Sequence, residues 1–172
     1  MALGARILEL QQAMSAYGET AARHYLALHE FGDALVAHFP AYLGEGATVL
    51  GVPPESGWAL GRGDYRDAKF SSFKRGSIVI EPILMGVAIR VPHARDPGGT
   101  WLRIVVEMEL KGDTIAVQVY DGKNVGGIDV NYTDRDLQRV QEAIFECARD
   151  VLVNPVRSIR GTSRIGFLDE AT

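Results

Sequence analysis

The chain has 172 residues, 47% of them apolar and 23% charged, and a formal net charge of −4. That length can bury a sizeable core as a single domain over 1–172, and the mild acidity argues against general binding to nucleic acid or to an anionic membrane. A lone cysteine, Cys147, excludes an internal disulfide and suits a reducing compartment.

The longest wholly apolar run, Ile83 to Ile89, falls far short of the roughly 20 residues a membrane span needs. Glu9, Gln11 and Gln12 interrupt any signal-peptide core at the N-terminus. A cytoplasmic protein with no membrane attachment is expected.

Residues 1–39 read as one long amphipathic helix. Leu3, Ile7, Leu10, Met14, Tyr17, Ala21, His24, Leu28, Phe31, Leu35 and His38 recur at alternating steps of four and three, a heptad seam. At about 1.5 Å per residue the helix would run roughly 55 Å. A compact chain of this length is only about 40 Å across. The helix must therefore break, or project and pack against something else. The positions beside the seam are mostly small: Gly4, Gly18 and Gly32 on one flank, Arg6, Ala13, Thr20, Ala27 and Ala34 on the other. An ordinary parallel zipper carries Glu and Lys there, whereas small residues let another backbone approach. Gly18 and Gly32 are the expected kink points. A kinked intramolecular helix and one paired with a second chain both stay open. Pro40 is expected to close the segment.

Residues 40–76 form an irregular, glycine-rich segment. Six of the 19 glycines lie between Gly44 and Gly63, and short strands are expected at Ala47 to Val52 and Trp58 to Leu60. From 77 to 132 the apolar residues alternate in four runs: Ile83 to Val91, Leu102 to Leu110, Ile115 to Val119, and Ile128, Val130 and Tyr132. Period-two alternation predicts an antiparallel meander with one buried face. Gly112-Asp113 suits a tight hairpin with glycine first. Asp121 to Asn124 suits a second turn. Thr133 is the expected N-cap of a helix over 134–153, which Asn154-Pro155 stops. The tail, 154–172, has enough apolar residues for one more strand or a wrap around a partner. The predicted fold class is α+β: a long N-terminal helix, a mainly antiparallel sheet of four to six strands, and a C-terminal helix packed on it.

No motif fixes a reaction, and no residue is assigned as catalytic, cofactor-binding or metal-ligating; no cofactor is expected. His24 and His38 share one seam position but lie about 21 Å apart along a helix. His29 and Asp33 offer two metal ligands at best, and zinc needs three or four. Core or interface histidines are the expectation. The second sheet face carries Arg90, Arg103, Glu107 and Glu109, joined by Gln118, Asp129 and Asn131 if the register is simple. Glu107 and Glu109, roughly 7 Å apart by strand rise, suit either acid–base work or a solvated face, and the solvated face is expected. Segment 62–75 mixes Arg62, Arg66, Lys69, Lys74 and Arg75 with Tyr65, Phe70 and Phe73, a pattern that can grip single-stranded nucleic acid. Cys147 lacks a base at any diagnostic spacing.

Three functions follow in order. The first is a non-enzymatic module that forms a homo-dimer and engages a partner protein, self-associating through Leu10, Met14, Tyr17, His24 and Phe31. The second is an enzyme or small-molecule binder with a pocket between the polar sheet face and residues 41–63. The third, least expected, is nucleic-acid binding through 62–75.

Overall fold

The structure is a computed structural model that describes residues 4–55, 58–59, 63–76, 79–95, 97–119, 122–154 and 165–169. Helix α1 spans Ala5–Leu43 without interruption. It is followed by β1 (Val49–Val52), a short 3₁₀ turn at Arg66–Lys69, β2 (Ile83–Pro92), β3 (Gly99–Lys111), β4 (Thr114–Val119), β5 (Lys123–Asp129), α2 (Asp134–Val153) and β6 (Ile165–Asp169). The strands form an antiparallel sheet in the order β1-β2-β3-β4-β5, the meander expected from the alternation. The thirteen-residue β3 is long enough to hold two partners on one edge: β4 pairs with Val106–Lys111 and β6 with Thr100–Ile104. The tail thus supplies a sixth strand.

Both helices lie on the same face of the sheet. Leu28, Phe31, Leu35 and Phe39 of α1, and Leu137, Val140, Ile144 and Val151 of α2, join the sheet's Met85, Val87, Leu102, Ile104, Val106, Met108, Ile115 and Val117 in one buried cluster. Gln141 Nε2 donates to the Leu35 carbonyl at 3.3 Å, tying the helices together. Thr133 opens α2 as expected. Its N–H and hydroxyl donate to Asp136 Oδ2 at 3.0 and 2.8 Å, and the backbone bond foremost holds that carboxyl below its usual range. Gly112 takes φ +64° in the β3–β4 turn, a conformation glycine adopts at no steric cost.

Three expectations are corrected. Pro40 does not close α1: the helix runs one more turn, and Gly44 N–H donates to the Pro40 carbonyl at 3.0 Å. Packing explains the extra turn, since Phe39 is buried and Tyr42 and Leu43 lean on the core. That burial outweighs the single backbone bond proline removes. The helix is also continuous through Gly18 and Gly32. The last strand of the meander lies upstream of Val130 and Tyr132, at Lys123–Asp129, and a bulge at Val117/Gln118 adjusts its register. Trp58 and Ala59 are in no strand, and Leu60 lies outside the described residues.

Candidate functional site

The long helix divides sharply. Residues 5–20 are all exposed, and burial begins at Ala21. The inner half buries Ala21, His24, Leu28, Phe31, Leu35 and Phe39. The outer half is a stalk of sixteen residues, about 24 Å long. It carries the same stripe into solvent: Ile7, Leu10 (66% exposed), Met14 (76% exposed) and Tyr17, with Leu8 beside them. At its root, Ile80 N–H donates to the Tyr17 hydroxyl at 3.1 Å. The exposed Val79 and Ile80 extend the apolar surface there.

The five residues expected to self-associate therefore separate. Leu10, Met14 and Tyr17 are on the stalk, whereas His24 and Phe31 are buried within the chain. The heptad seam also drifts: His38 is exposed, and Phe39, one position on, takes its place. A helix of 3.6 residues per turn loses register against a strict 3.5 repeat by about 20° per heptad. His24 is 3% exposed. It accepts the Leu110 N–H through Nε2 at 3.3 Å, and its Nδ1 has no partner among the described residues. Burial holds its pKa below the ordinary value, against the opposing pull of Glu109.

The polar sheet face is half covered. Register puts Trp101, Arg103, Val105, Glu107 and Glu109 of β3 on it, with Arg90 opposite Trp101 and Gln118 opposite Glu107. At the Arg103 end, the segment after β1 folds across the sheet. Arg103 is 5% exposed, and its Nη1 donates to the carbonyls of Pro53 (3.4 Å) and Glu55. Val52, Tyr65, Ala88 and Trp101 form a small second core there. The solvated reading fails at this end, and Trp101 and Val105 were its signal in the sequence. At the other end Glu107 and Glu109 line a hollow of about 70 Å³ with Lys111 and Gln118. Lys111 Nζ pairs with Glu109 at 2.9 Å. The face thus brings the two carboxylates near a cation.

A different cluster went unseen in the sequence. His29 Nε2 is 2.9 Å from Ser72 Oγ, and its Nδ1 is 4.0 Å from Asp67 Oδ1. Its ring is stacked between Tyr25 and Phe70, with centroids 3.9 and 3.8 Å away. Burial lowers its pKa, which favours the neutral ring despite Asp67 and Asp33. Beside it lies a cavity of about 270 Å³ lined by Tyr25, Asp67, Ser72, Phe73, Lys74 and Ile83, among others. Lys74 takes φ +62°, a strained conformation for a lysine.

The basic–aromatic segment is largely spent on structure. Tyr65 and Phe70 are buried, Lys69 pairs with Asp33 and Arg75 with Glu81. Arg66, Phe73 and Lys74 stay exposed, and Arg62 lies outside the described residues. A groove of about 480 Å³ runs between β5 and α2. Within it Lys123 pairs with Glu146 and the Tyr42 hydroxyl donates to Glu142. Burial and that bond push Tyr42 up to about 12. Among the described residues no helix is long and apolar enough to cross a membrane. Comparison with protein-family models, curated proteins and solved structures finds no match to this chain.

Proposed function

We propose that this protein is a non-enzymatic, cytoplasmic interaction module that self-associates through its projecting helix. One observation carries this reading: the stripe that packs the inner half of α1 onto the sheet continues outward with Ile7, Leu10, Met14 and Tyr17 uncovered. An apolar helix face held in water lacks the packing that makes most helices stable. It gains that packing when a partner covers it. Size exclusion with light scattering tests the reading, on wild type beside Met14→Asp. The expected result is an oligomer that becomes a folded monomer in the variant. A wild type that stays monomeric from dilute to concentrated solution would refute it.

A second reading rests on Ser72. Its hydroxyl sits within hydrogen-bond reach of a neutral imidazole at the wall of a cavity, the beginning of a nucleophile–base pair. In an acyl transfer, Ser72 Oγ would attack the ester carbon, its proton would pass to His29 Nε2, and the imidazolium would hand that proton to the departing alkoxide as the ester C–O bond breaks. Two features weigh against it. Asp67 is 72% exposed and 4.0 Å away, beyond hydrogen-bonding distance. The same bond also serves simply to fasten residues 65–75 to α1. A fluorophosphonate probe decides between them. A phosphonyl adduct on Ser72, lost in His29→Ala, supports chemistry; an unmodified mass leaves the tie as structural.

A further inference from the structure

We infer that the occupant of the exposed stripe is the same stripe on a second copy of this chain, laid antiparallel. The inference rests on the self-association reading above and adds its geometry.

Three observations carry it. The first is the place of the folded body. The stripe on the stalk and the residues that seat α1 on the sheet share one face: Ile7, Leu10, Met14 and Tyr17 lead directly into Ala21, His24 and Leu28, which their own sheet covers. In a parallel pair the two bodies would both occupy the space between the helices just beyond Tyr17, and they would collide. In an antiparallel pair each body sits at the opposite end of the stalk, and only residues 5–20 overlap.

The second is self-complementarity. Antiparallel heptads pack each a position against a d position of the partner. Ile7 then meets the partner's Tyr17, and Leu10 meets the partner's Met14, with the same contacts repeated across the two-fold axis. These four layers fill the stalk and stop where burial begins. The flanking positions close around them without a like-charge contact. Ala13 faces its own copy, Gln11 faces its own copy, and Arg6 faces the partner's Thr20. Gly4 faces the partner's Gly18. Apart from the helix's own backbone, nothing among the described residues comes within 4 Å of a Cβ built on Gly4 or Gly18, so both leave room for a neighbouring backbone. Gly32, on the same flank, is the contrast: a Cβ there would strike Phe70 and Met85 of its own chain.

The third is area. The four seam side chains Ile7, Leu10, Met14 and Tyr17, with on the order of 100 Å² exposed on each, give on the order of 800 Å² over both copies. That is the low end for a specific interface. The partner's N-terminal turn would also reach Val79 and Ile80 at the root of the stalk, which enlarges the contact.

The test is disulfide pairing between two single variants, Leu10→Cys and Met14→Cys, mixed in equal amounts and oxidised at a concentration where wild type is dimeric. Cys147 is buried in α2, and oxidised wild type serves as the blank. Intact mass separates the two homodimers from the heterodimer. The inference predicts a heterodimer share well above the half expected by chance, because positions 10 and 14 face each other. Predominant homodimers, with each variant cross-linked to its own copy, would show a parallel pair and overturn this inference while self-association stands. Dimeric wild type with no cross-link in the mixture would place the interface elsewhere and overturn both. A monomeric wild type would remove the function proposed above along with this geometry.

Discussion

Two glycines in one helix should respond oppositely to the same substitution. Alanine stabilises a helix interior by about 1 kcal/mol over glycine, and this gain is common to Gly18 and Gly32. The surroundings differ. Beyond the helix's own backbone, a Cβ at Gly18 meets nothing among the described residues within 4 Å, whereas one at Gly32 would lie 2.6 Å from Phe70 Cε1 and 3.0 Å from Met85 Sδ. Met85 can adjust. Phe70 is 1% exposed and its ring is stacked on His29, so it cannot swing aside. Forcing such a contact typically costs about 1–3 kcal/mol. Gly18→Ala should therefore change stability by about 0 to +1 kcal/mol, and Gly32→Ala by about 0 to −2 kcal/mol. The difference between the variants is the steric cost, about 1–3 kcal/mol, less whatever part of the helix gain the unpaired stalk does not realise at Gly18. At about 2–4 °C per kcal/mol for a chain of this size, that separates their melting temperatures by about 2–12 °C. The comparison is made in a Met14→Asp background, so that association does not add to either value. Equal melting temperatures would refute the close approach of α1 to Phe70 and, with it, the seating of the inner helix.

Three further outcomes are expected. Phe31→Ala removes a fully buried ring that packs edge-on to Tyr132 at 5.1 Å and should cost about 3–5 kcal/mol in urea unfolding; Met14→Ala in dilute solution should cost less than about 0.5 kcal/mol, and similar losses would erase the division of the helix. Arg103→Ala strands the carbonyls of Pro53 and Glu55 and should cost about 2–5 kcal/mol, with faster proteolysis between β1 and the 3₁₀ turn; a neutral effect would mean the segment does not cover the sheet. Stability should also fall on acidification. Burial holds His24 and His29 below the ordinary imidazole value of 6.5, so the unfolded chain binds protons first as the pH drops through 6.5, and the native state loses ground until its own histidines titrate. A urea midpoint unchanged between about pH 7.5 and 5.5 would contradict this.

The sheet was legible because alternation and turn chemistry agree. Ile83 to Val91, Leu102 to Leu110 and Ile115 to Val119 each point one face inward, and Gly112 marks the hairpin between the last two. The fifth strand was misplaced because Gly126 and Gly127 dilute its apolar pattern and a bulge shifts its phase. Pro40 misled because tertiary burial of Phe39 overrode a local rule. The site was harder. A heptad stripe looks identical whether a sheet or a second chain covers it, so nothing in the periodicity marks Ala21 as the boundary between core and stalk. His29 and Ser72 are 43 residues apart; only the fold brings them together. Arg103 looked solvated because strand alternation reports the face and not what crosses over it.

Hydrogen exchange over residues 5–20 tests the central claim most directly. A stalk with no packing partner exchanges rapidly, because an isolated helix of this length is marginal in water. The account predicts protection of these amides at high protein concentration, lost on dilution and absent in Met14→Asp, while the amides of residues 24–39 stay protected throughout. Rapid exchange over 5–20 at every concentration, in a wild type that is otherwise folded, would contradict it.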